Sequence, residues 1–68
     1  MVIVLGGVRQ SDGKAWRVTV EAAQVALRIG DSDKPMKFVR RKDGEDDASW
    51  ERRQKVFLNK MHDLTKTW

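Results

Sequence analysis

Apolar and polar residues alternate along the first third of this 68-residue chain. Val2 to Gln10 and Lys14 to Val20 flank Ser11-Asp12-Gly13, and Asp-Gly tolerates the positive φ that a two-residue hairpin requires. In that register Leu5 faces Val20, Gly7 faces Val18 and Arg9 faces Trp16. Ile3, Leu5, Trp16, Val18 and Val20 then share one face, the expected core side. Gly6-Gly7 invites a bulge in the first strand. The next segment, Val20 to Ile29, fits two periods. Val25, Leu27 and Ile29 alternate as in a third strand, whereas Glu21 to Arg28 has strong helix propensity. Gly30 ends either element. The strand is favoured, because a lone hairpin needs a third strand to be stable.

Lys34 to Lys42 matches neither period cleanly, and Pro35 suits an edge strand or the first turn of a helix. The acidic turn at 43–47 then precedes the clearest helix, from Ala48 to about Thr65, where carboxylates favour the N-terminus. Asp46, Asp47 and Ser49 are candidate caps. Along the helix Trp50, Phe57, Met61, Leu64 and Trp68 form one apolar stripe, with Gln54 in the skipped position. The expected fold class is α+β, in one domain spanning 1–68. A small antiparallel β-sheet, the N-terminal hairpin plus one or two further short strands, fills most of 2–42. One C-terminal amphipathic helix, 48–66, covers it.

Size limits what such a chain does. A domain this short buries only about 60% of the surface its unfolded chain exposes, which leaves no room for a deep pocket. There is no cysteine and one histidine, so neither a disulfide nor a structural zinc site is available as a staple. Association with another chain remains. The apolar start stops at Gly6-Gly7, too short for a membrane span, and a cytoplasmic location is expected.

Charge changes the picture more. The net charge of +4 is uneven: residues 1 to 42 hold nine Lys/Arg against four Asp/Glu, and residues 43 to 68 hold five against six. Five cations crowd around Phe38 between Lys34 and Lys42. Cations interleaved with an aromatic suit a phosphate backbone, since they release condensed counterions while the ring stacks on a base. Lys34, Lys37, Phe38, Arg40, Arg41 and Lys42 are therefore the candidate nucleic-acid-binding residues, and Arg9, Arg17 and Arg28 strengthen the case if they share that face. The competing reading makes Met36, Phe38 and Val39 part of a small core with the cations as its solvated rim.

Ala26, Gly30, Met36 and Val39 have the spacing of the packed alanine, turn glycine and second-helix apolar positions of a helix-turn-helix. Over about 20 residues the segment resembles that motif. It departs from it at Asp31, where an apolar residue is usual, and at Pro35 inside the would-be recognition helix. The resemblance implies Lys34, Lys37, Arg40 and Arg41 facing a major groove.

The helix stripe also has two readings. Most of it closes the core on the hairpin. Trp50, Arg53, Phe57, Met61 and Trp68 are nonetheless candidate contacts to a protein partner or in a homodimer, because Trp and Met bury large area and adapt in shape. Gly7 to Lys14 fails as a phosphate loop, with Val8 and Ala15 at required glycine and hydroxyl positions. Asp31-Ser32-Asp33 and Glu45-Asp46-Asp47 lack calcium-loop spacing, so no metal is expected. His62 has no Ser or Cys nucleophile to serve, and neither an enzyme, a cofactor nor a small-molecule substrate is expected.

These observations together lead to the expectation of a non-enzymatic small basic binding protein. It contacts nucleic acid, DNA or RNA, as a regulator or accessory factor. Its length, charge and compactness resemble those of small regulators of phages and mobile elements, by analogy only. The alternative is an inhibitor or adaptor that docks on a larger protein through exposed aromatic helix residues. A subunit of a larger assembly is the third reading.

Overall fold

β-Branched and aromatic residues fill the four segments that become strands: β1 (Val2–Val8), β2 (Ala15–Val20), β3 (Gln24–Ile29) and β4 (Lys37–Arg40). Each pairs antiparallel with the next, so the sheet order follows the chain. One helix, α1 (Asp47–Thr65), follows and packs on β3 and β4. This computed structural model describes residues 2–68. The architecture is α+β, and among the described residues no helix is long and apolar enough to cross a membrane.

The first hairpin differs from the expected register. Leu5 pairs with Val18 and Gly7 with Trp16, and the ladder shifts between Ile3 and Leu5, putting the bulge at Val4 rather than at the glycines. The cause lies in the loop. Arg9 N–H donates to Lys14 O at 2.8 Å, and Gly13 N–H donates back to Arg9 O at 2.7 Å. Four residues, Gln10 to Gly13, thus close the hairpin where two were expected. Gly13 has φ +71°, and the Asp12 carboxylate accepts from Lys14 N–H at 3.0 Å while it pairs with Arg9. A side chain that braces both strand ends makes the longer loop the better closed one.

Val20 to Ile29 resolves as a turn and a strand. Val20 pairs with Val25 and Glu21 N–H donates to Gln24 O, so Ala22-Ala23 is a two-residue loop with negative φ at both positions. Gly30 ends β3 with φ +66°. Helix and strand competed in the sequence because such a turn uses helix-like backbone angles that alanine favours. The helix-turn-helix expectation is overturned with it. Ala26 sits in β3 and Val39 in β4, on adjacent strands.

The core is a single layer between sheet and helix. Val18, Val25 and Leu27 from the sheet meet Trp50 and Met61 from α1, all buried. Each such side chain removed from water contributes about 1.5–3 kcal/mol. Trp68 closes one end, its ring 5.6 Å from that of Trp16 and nearly perpendicular to it. Side chains alternate across a sheet, so the opposite face carries Ile3, Thr19, Ala26 and Phe38 in one row across all four strands. No element covers that face among the described residues.

Candidate nucleic-acid interface

Strand alternation divides the basic run from Lys34 to Lys42. Phe38 pairs with Ala26 and Arg40 with Gln24, which puts both side chains on the open face. Lys37 pairs with Leu27 and points to the helix side, where it lines a shallow groove of about 340 Å³ with Met36, Phe38, Phe57, Lys60 and Met61. Lys34 lies exposed in the loop before β4, and Lys42 is exposed just after it. Arg41 serves the fold: it donates to Glu45 O at 2.8 Å and to Asp47 Oδ1 at 2.6 Å.

The open face gains two arginines from outside that run. Arg17 and Arg28 pair directly across β2 and β3, so they share the face with Arg40. Like charges opposite each other cost stability unless something compensates. Compensation is local here: Arg17 donates to Gly30 O at 3.0 Å, and Arg28 donates to Thr19 Oγ1 at 2.9 Å with Glu21 4.0 Å away. Arg28 is only 14% exposed, and the Thr19 hydroxyl it bonds is fully buried. Arg9 sits elsewhere, 5.2 Å over the Trp68 ring and paired with Asp12.

Phe38 is 53% exposed although it stands in a sheet. The Arg40 guanidinium lies 5.6 Å from its ring centroid, and Arg40 Nε donates to Gln24 Oε1 at 3.0 Å. Between Phe38 and Ile3 the row holds only Thr19 and Ala26. At a strand spacing of about 4.8 Å, the two apolar side chains stand roughly 14 Å apart, with the buried Ala26 and the Arg28-bonded Thr19 between them. A planar group set on Phe38 would have a cation within reach at Arg40 and, further along the face, at Arg17.

Compared with protein-family models, with curated proteins and with solved structures, the chain matches none. Its own geometry carries the argument. No three His, Asp or Glu side chains converge as a metal site would need, among the described residues.

The candidate contacts on the helix are distributed unevenly. Trp50 and Met61 are buried in the core, which removes them as surface contacts of the monomer. Arg53 lies 5.6 Å over Trp50 and donates to Glu45 Oε1 at 2.6 Å. Phe57 and Trp68 are half-buried against the same core. Sequence reasoning missed one organising residue, Glu45, which it placed only in the acidic turn before the helix. Its side chain is 6% exposed and accepts from Lys42 N–H, Ser49 Oγ and Arg53. Those donors, the Lys42 amide first, hold its carboxyl below the usual glutamate range against the opposing effect of burial. An ion pair at i, i+8 has no simple sequence signature.

Proposed function

We propose that the protein is a non-enzymatic nucleic-acid-binding module that takes a single strand on its open sheet face. Phe38 stacks on a base, while Arg40 and Arg17 lie along the backbone. The observation that carries this reading is the half-exposed Phe38 beside Arg40, on a sheet face that no element covers among the described residues. An exposed aromatic on a sheet costs apolar hydration, and aromatic platforms flanked by cations suit stacked bases. Lys34 and Lys42 extend the positive field past the ends of β4. Among the described residues neither of them, nor Arg17 or Arg40, has a carboxylate within ion-pair distance. A small binding module of this kind would serve as a regulator or accessory factor.

A flat face also suits single strands better than a duplex. Base stacking requires an unpaired base, and among the described residues the one helix lies on the opposite side of the sheet. The test is anisotropy of labelled single-stranded and duplex oligonucleotides at two salt concentrations. Single strands should bind more tightly, and each phosphate-contacting arginine removed should reduce the slope of log K against log salt by about 0.7. Equal affinity for duplex, or affinity independent of salt, would reject the reading. Salt-independent binding to protein instead would favour an adaptor role through the groove of Met36, Phe57 and Lys60.

A further inference from the structure

The sheet ends in two free edges that differ in chemistry. β4 is a guarded edge: its four residues include Lys37 and Arg40, and Arg41 and Lys42 follow. Two copies paired through β4 would set cations against cations. β1 carries no charged side chain from Val2 to Val8. Of the seven large hydrophobic residues found exposed, four lie on it: Val2, Ile3, Val4 and Val8. Edge strands are ordinarily blunted by charge, proline or a cover, because their unpaired amides invite another strand. The bulge at Val4 twists only the N-terminal part of β1.

We propose that β1 pairs antiparallel with β1 of a second copy of this chain, joining two sheets into one of eight strands. Arg9 N–H points toward β2, so alternation turns the amides of Val8 and Gly6 outward to form the new rungs. Gly6, exposed and without a side chain, lets a second backbone approach. A second copy is the occupant because β1 is its own complement. It is neutral along its length and apolar on both faces, Leu5 on one side and Ile3 and Val8 on the other, so an isologous pair meets no repulsion. The two-fold axis stands perpendicular to the sheet. Both helices therefore fall on one side and both open faces on the other. This inference stands on the edge alone and does not require the open face to bind nucleic acid.

Light scattering of the full chain over micromolar to millimolar concentrations tests it, alongside V8K and, on the opposite edge, K37E. The wild type and K37E should rise from 7.9 kDa toward twice that mass. V8K, an exposed site, should stay monomeric with an unchanged circular dichroism spectrum. A wild type that remains at 7.9 kDa throughout, or V8K dimerising as readily as the wild type, would overturn the proposal. Amide exchange of the wild type gives an independent reading. Gly6 and Val8 should exchange more slowly as concentration rises, and rates independent of concentration would contradict the pairing.

Discussion

Glu45 shows how one carboxylate joins two elements. It accepts from the Lys42 amide where β4 ends and from Ser49 and Arg53 on the helix. Its folded pKa is depressed, chiefly by that amide, so the unfolded chain binds the proton more tightly. The stability it contributes is present above the ordinary glutamate value of about 4.3 and is lost as pH falls through the lower folded value. Melting temperature should thus drop on acidification below about pH 4, and less steeply in E45Q, which starts lower. Parallel acid limbs in the two proteins would refute this assignment. Asp12, held at about 2 first by its bond to Arg9, acts in the same direction at a lower pH. Its loop is exposed, so screening keeps its share small. Trp68 is the other residue whose removal should be felt. Its ring touches Trp16 edge-on and carries Arg9 over its face. W68A should cost about 2 kcal/mol, less than full burial would imply, and lower Tm by roughly 10 °C. A Tm within a degree or two of wild type would show that the indole adds nothing to the core. Gly7 belongs to the same corner, since a Cβ there would meet the Trp16 ring at 3.2 Å.

The elements divide into those whose signals agree and those whose signals compete. In α1 the cap, the acidic lead-in and the apolar stripe all agree, and the helix runs from Asp47 to Thr65 with Asp46 as its cap. Asp46 Oδ1 accepts from Ser49 N–H at 3.0 Å. D46A should therefore destabilise the protein by about 1 kcal/mol, measurable by urea denaturation with an unchanged slope. No loss would mean that Asp47 or Glu45 takes over the cap. The presence of β1 and β2 was legible from alternation, but their register was not. Asp-Gly signals a turn without stating its length, and the Arg9 to Asp12 contact that selects four residues is a matter of side-chain geometry. β3 was ambiguous because Ala22-Ala23 serves a turn as well as a helix. The candidate site was half legible. Phe38 and Arg40 lie in a visible basic run, whereas Arg17 and Arg28 join them only through strand pairing. Arg41, in that same run, is drawn off to Asp47 by the start of the helix.

At the scale of the molecule the decisive fact is one-sidedness. The radius of gyration of 12.4 Å exceeds the roughly 11 Å typical of 68 residues, as a two-layer molecule with a shortest extent of 16 Å requires. One helix packs on one face of the sheet, and the other face meets solvent with Arg17, Arg40, Phe38 and Ile3, over a largely buried Arg28. The helix and the core behind it supply the rigidity that a binding face needs. F38A and R40E alter exposed side chains and should leave Tm within a few degrees of wild type. Each should weaken single-strand binding, F38A by about 1–3 kcal/mol for a lost stacked base. The most direct measurement is an amide chemical-shift map of the protein titrated with a short single-stranded oligonucleotide. Shifts concentrated at Arg17, Thr19, Ala26, Phe38 and Arg40, with α1 unperturbed beyond its first turn, are the expected result. Shifts confined to α1, Met36 and Lys37, with Arg17, Thr19 and Ala26 unmoved, or no shifts at low salt, would contradict the assignment of the open face to nucleic acid.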